Sequence, residues 1–236
     1  MANDSHPTRS AVLNMHMSEF WSGDLGLTLV TISVTFLVFV ITPLREAGLP
    51  GRIFFDLVVV ALMVSGALVV EQSLVSKLFL VAAVLVSAVV LGAGRLHPTP
   101  FLHQFGSILS TATLLLYIRI VLLVMFRAGP MNWSRIQGGV CAYLLLGMAW
   151  ASAFQFVEQL HPGSFRFVSA PVGMDQLTSK FTYYSFTTLT TLGSDISPVS
   201  PIARSLTIAE SSVGLLFPAI FIGALVAMAM QSRPKS

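Results

Sequence analysis

The sequence predicts an all-α membrane protein of six transmembrane helices, with a re-entrant helix between the fifth and the sixth. Three observations carry that prediction. Of the 236 residues 55% are hydrophobic and only 10% charged, against about 25% charged in a soluble domain, and the mean hydropathy is +0.82. Six nearly uncharged runs, at 25–42, 53–70, 78–94, 105–126, 138–157 and 205–230, approach or exceed the roughly 20 helical residues that cross the hydrocarbon core. Short polar connections at 43–52, 71–77, 95–104 and 127–137 separate the first five, whereas the last is preceded by one long connection, 158–204. That connection is rich in Gly, Pro, Ser and Thr, so its backbone must lie outside the bilayer or dip back in under protein cover.

The same composition excludes several function classes. The net charge of +3 is scattered over many loops, so there is no basic stripe for nucleic acid. The single cysteine, Cys141, stands inside an apolar run, which leaves no intramolecular disulfide and no thiolate metal cluster and makes it a small core residue. Residues 1–24, with Asp4, His6, Arg9, His16 and Glu19, hold no apolar block suited to a signal peptide and form a polar leader. Residues 232–236 are a short tail. Arg45, Arg52 and Arg95 fall on one side of the membrane, and Lys77, Arg127, Arg135, Arg233 and Lys235 on the other. The second set is slightly larger, which puts both termini in the cytoplasm.

Individual polar residues in the first four spans carry little chemistry. The fourth span holds Arg119, with Arg127 at its end eight residues on. One charge crossing the field is worth about 2.3 kcal/mol per 100 mV, so steep voltage gating needs several per subunit. Arg119 is therefore expected to pair with Asp56 of the second span. His97 and His103 lie six apart in one connection, which is no helical ligand spacing. Trp21, Tyr117, Trp133, Tyr143 and Trp150 suit interfacial anchoring or packing. No catalytic residue is expected: the Ser and Asp of the long connection have no suitably placed His, and His161 alone makes no triad. No cofactor is expected either.

The long connection holds the candidate site. Its stretch 174–191, MDQLTSKFTYYSFTTLTT, places Phe181, Tyr184, Phe186 and Leu189 on roughly one helical face and hydroxyls on the others. Asp175 near its start complements the positive end of a helix dipole, and Thr187, Thr188, Thr190 and Thr191 crowd its negative end. Leu192-Gly193-Ser194-Asp195-Ile196-Ser197-Pro198 follows, with Gly193 free to adopt a conformation in which successive carbonyls point one way. Carbonyls lining a narrow passage replace the hydration shell of a cation. An extracellular hairpin with a Thr-rich turn is the alternative that the residues alone leave open.

The run Tyr183-Tyr184-Ser185-Phe186-Thr187-Thr188-Leu189-Thr190-Thr191-Leu192-Gly193, followed by Asp195-Ile196-Ser197-Pro198-Val199-Ser200-Pro201 and Ala203-Arg204-Ser205, resembles the pore of the potassium-channel superfamily, in particular its bacterial members. The resemblance covers residues 174–227. It implies a homotetramer in the bacterial inner membrane, surrounded by lipid, that conducts potassium or other monovalent cations passively. It also implies a division into a four-helix transmembrane domain at 25–136 and a pore domain at 137–231. Thr191, Leu192, Gly193, Ser194 and Asp195 would form the filter, with permeant potassium at the backbone oxygens of Thr191, Leu192 and Gly193.

There is one departure from the family pattern. Where the family has Thr-Val-Gly-Tyr-Gly-Asp, a single Ser194 stands in place of Tyr-Gly. One carbonyl ring and an aromatic brace are lost, so weaker discrimination between potassium and sodium is expected. Cyclic-nucleotide-gated channels, with Thr-Ile-Gly-Glu-Thr, resemble this filter in length and are poorly selective. In the last span Gly214 and Pro218 are candidate hinges, since Pro removes a helical hydrogen bond. Glu210 is costly in hydrocarbon and must face protein or water. By the resemblance it braces the filter together with Thr187, Thr188 and Thr190. A small secondary transporter using Asp56, Arg119 and Glu210 as a relay is the competing reading, as is a non-conducting channel-like protein. No inverted repeat is visible between the two halves.

Overall fold

A computed structural model describes residues 28, 31–42, 82, 85, 86, 89, 90, 100–125, 133–169, 171 and 173–231. The expected leader at 1–24, the second span with Asp56, most of the third span, Arg127 and the tail lie outside the described residues. The described part is helical apart from one two-stranded sheet. The helices are α1 (Thr31–Val40), α2 (Pro100–Met125), α3 (Trp133–Leu160), α4 (Gly173–Leu189) and α5 (Pro201–Gln231). Three of them contain stretches long and apolar enough to cross a membrane: Gln104–Leu123, Arg135–Leu160 and Pro201–Met230. The chain is an all-α membrane protein in this described part.

Helices α2, α3 and α5 start earlier than charge and polarity suggest. α2 begins at Pro100, because proline suits the first helical position, where its missing N–H has no partner to lose. His103 therefore stands on the first turn of α2, not in a loop. α3 extends N-terminally to Trp133 because its polar residues find partners. The buried Arg135 donates from Nη1 to Met228 Sδ at 2.8 Å, and Thr28 donates to Gln137 Oε1 at 3.0 Å. α5 opens with Ser200 as its cap, whose Oγ accepts from the Ala203 N–H at 3.1 Å, and Pro201 follows at the first position.

α1, α2 and α3 share one core, built from Val34, Val38, Tyr117, Ile118, Cys141 and Leu145 among others. Cys141 is buried there as a free thiol. The end of α1 winds as a π-helix over Leu37–Ile41, and Ser179 of α4 donates to the Thr42 carbonyl at 2.9 Å. The end of α1 is thereby tied to α4. A second core of Phe154, Phe165, Phe181, Tyr184, Ile196 and their neighbours joins α3, α4 and α5.

The ends of the long connection are fixed to each other. Glu158, near the end of α3, accepts from the Gly163 N–H at 2.8 Å and the Phe165 N–H at 3.0 Å. Strand β1 (Phe165–Arg166) then pairs antiparallel with β2 (Ser197–Pro198), Phe165 opposite Pro198. Val199 donates to the Ser164 carbonyl at 2.8 Å. Between these strands α4 and the segment 190–196 form a loop closed at its base.

Candidate functional site

α4 ends in a Schellman motif. Thr191 donates its backbone N–H to the Thr188 carbonyl at 3.0 Å, and Leu192 donates to the Thr187 carbonyl at 2.8 Å. This is the paired bonding of a helix C-terminus whose next residue turns left-handed. That residue is Thr191, at φ 58°. Glycine ordinarily takes this place, because a β-branched side chain at positive φ is strained by about 1–2 kcal/mol. Gly193, two residues on, has φ 83°, whereas Leu192 between them does not have positive φ. Positive φ at both positions, with an ordinary φ between them, makes this a tightly turned segment. The segment leaves α4 at its negative end, a location that favours a cation.

The face of this segment is uncovered in a single chain. Leu192 is 79% exposed, and Thr190, Thr191, Gly193 and Asp195 are exposed as well. Ser194 is half-buried. Its Oγ donates to Asp195 Oδ1 at 3.3 Å and accepts from the Ile196 N–H at 3.1 Å, so its hydroxyl pins the turn beyond the segment. Thr190 and Thr187 turn their hydroxyls back onto their own helix. Thr190 donates to the Phe186 carbonyl at 2.6 Å, and Thr187 lies within reach of the Tyr183 and Tyr184 carbonyls at 3.0 and 2.9 Å.

Residues 140–231 match the family described as ion channel. The match likens this stretch to the pore-loop channel superfamily. No curated protein and no solved structure matches the chain. The matched stretch takes in most of α3 and all of α4 and α5, which the resemblance likens to the outer, pore and inner helices of such a channel.

Behind the segment, α5 approaches α4 at two points. The first is Gly214. A β-carbon there would stand 2.1 Å from the Leu189 carbonyl oxygen and 2.8 Å from its carbon, so glycine is required for the backbones to touch. Tyr143 of the outer helix donates its hydroxyl to the same carbonyl at 3.3 Å. Gly214, read from sequence as a hinge, is in the structure a packing contact against the last carbonyl of α4. The inner helix is continuous through Pro218.

The second point is Glu210, with no exposed surface. Its Oε1 lies 2.5 Å from Ser185 Oγ, while Oε2 is buried without a hydrogen-bond partner. Ser185 in turn lies 2.7 Å from the Gly147 carbonyl of the outer helix. One turn further out, the Tyr184 hydroxyl meets Thr207 Oγ1 at 2.7 Å. The carboxyl expected to meet hydroxyls of α4 meets that of Ser185, which was not singled out from the sequence. A signal was available: Phe181, Ser185 and Leu189 are spaced by four, and all three are buried. Ser185 interrupts that apolar stripe and so had to have a polar partner. Among the described residues no group of three or more His, Cys, Asp or Glu forms a metal site.

Proposed function

We propose that four copies of this chain surround one axis and conduct potassium and other monovalent cations passively, with permeant ions at the backbone oxygens of Thr191, Leu192 and Gly193. The observation that carries this reading is the alternation of positive φ at Thr191 and Gly193 directly beyond the negative end of α4. A chain supplies only one quarter of each oxygen ring, and the exposed Leu192 side of the segment is the face that companion copies would cover. Oxygen rings of this kind take the place of water around a dehydrated cation. The Thr191 hydroxyl adds a side-chain oxygen below the carbonyls.

Discrimination follows from the number and rigidity of those rings. With Ser194 in place of a Tyr-Gly pair, one ring and the aromatic brace are absent, and sodium passes more readily than in the longer filter. Residual rigidity comes from the Schellman bonds, the Ser194 turn and the Glu210 contact. The protein resides in a bacterial inner membrane with both termini in the cytoplasm and lipid around its apolar faces. Reconstitution into vesicles, with flux of potassium, sodium and a large organic cation compared, tests the reading. Potassium flux exceeding sodium flux, with the organic cation excluded, is expected; no flux of either ion, or equal passage of all three, overturns it.

A further inference from the structure

The junction of α3, α4 and α5 contains a hydroxyl with more bonds than it has protons. Ser185 Oγ stands 2.7 Å from the Gly147 carbonyl oxygen and 2.5 Å from Glu210 Oε1, both bonding distances. A serine hydroxyl supplies one proton, and a backbone carbonyl can only accept. Two bonds need two protons, so the second has to come from Glu210. An ionised carboxylate would leave two acceptor oxygens competing for one proton.

The rest of the surroundings agree. Glu210 Oε2 has no hydrogen-bond partner, and among the described residues no cation is paired with this carboxyl. A carboxylate so enclosed would be an uncompensated buried charge, whereas the carbonyl oxygen of a neutral acid loses much less by going unpaired. The titratable groups facing it are Tyr143 from α3 and Tyr184 from α4. Both are uncharged phenols whose hydroxyls are engaged elsewhere, on the Leu189 carbonyl and on Thr207.

We infer that Glu210 is held as a neutral carboxylic acid that donates its proton to Ser185 Oγ, while Ser185 donates to the Gly147 carbonyl, forming a proton-occupied latch between the outer, pore and inner helices. Glu210 touches no permeant ion; it is a positioning residue for the end of α4. The folded protein binds this proton and the unfolded chain at neutral pH does not. The latch is therefore complete at neutral pH and below, and is lost as pH rises. Deprotonation leaves the one Ser185 proton to serve either Glu210 or the Gly147 carbonyl but not both, so one of the two bonds is lost. A carboxylate then stands between three helices, and the end of α4 that sets the filter is freed. The consequence for conduction rests on the pore reading above; the protonation state does not.

Infrared spectroscopy of the full chain in lipid vesicles tests the latch. A protonated-carboxyl stretch is expected at neutral pH, absent in Glu210→Gln and moved to higher frequency in Ser185→Ala, where its hydrogen bond is gone. On alkaline titration the stretch gives way to that of a carboxylate, and potassium flux falls about tenfold, the equilibrium worth of one such hydrogen bond. Glu210→Gln, whose amide donates to Ser185 but cannot ionise, should show the same flux at neutral and alkaline pH. If the wild-type chain shows no protonated stretch at neutral pH, or if that stretch survives in Glu210→Gln, the latch is overturned. A stretch that behaves as expected in a chain without flux overturns the pore reading and leaves the latch standing.

Discussion

The middle of α4 is held by rings and its C-terminal turn by single atoms. Around Phe181 and Tyr184, Phe154 lies edge-on to Tyr184 at 5.0 Å and to Phe165 at 5.5 Å, and Phe165 to Phe181 at 4.9 Å. Each ring there has several neighbours, so the energy is shared and no one contact fixes the register of the helix. At the last turn, by contrast, Leu189 is met by the bare backbone of Gly214 and the Tyr143 hydroxyl, and Ser185 by one carboxyl and one carbonyl. The aromatic region supplies stability. The hydroxyl-and-carbonyl region supplies position, which is what an ion filter requires.

Four substitutions test that division, in descending order of effect. Phe154→Ala should destabilise the fold by about 3 kcal/mol, the low end for losing a buried phenylalanine, because lipid is as apolar as the ring and only packing is lost. Its thermal unfolding temperature should drop while its ion preference stays put; a changed reversal potential would break the comparison. Gly214→Ala pushes a methyl group into a backbone carbonyl and should cost about 1–3 kcal/mol. Unlike Phe154→Ala, it should also alter selectivity, since the Leu189 carbonyl has to move.

Thr191→Gly should stabilise the chain by about 1 kcal/mol by relieving positive φ, yet weaken potassium occupancy through loss of the hydroxyl. Calorimetry with and without potassium separates the two contributions, and a variant less stable than the parent in both would count against the left-handed cap. Arg119→Gln should have the smallest effect. Its side chain is exposed on α2, and one charge cannot drive steep gating. A conductance–voltage curve that flattens in this variant would show that the fourth span senses voltage.

Much of the course of α4 and the turn beyond it was legible in the sequence, and the reason is local. The end of α4 and the positive φ at Gly193 are each written in a few neighbouring residues. Helix starts were less legible: Pro100 and Pro201 fell within polar connections although proline is welcome at a first helical turn, and Arg135 fell in one as well because its partner, Met228, is 93 residues away. The same distance hid the latch. Ser185 and Glu210 are 25 residues apart and Gly147 is 38 from Ser185, so periodicity could show that each needed a partner but not that they were one another's. The role of Gly214 as a contact depends likewise on the Leu189 carbonyl, which no sequence pattern encodes.

The central claim is a short-filter cation pore that passes potassium but discriminates weakly against sodium. Its most direct test is the reversal potential of the reconstituted channel with potassium on one side and sodium on the other. A small displacement toward the potassium equilibrium potential, enlarged when a Tyr-Gly pair replaces Ser194, is the predicted result. A strongly potassium-selective potential in the unmodified chain would contradict the account, because it would require a full set of oxygen rings that Thr191, Leu192, Gly193 and Ser194 do not provide.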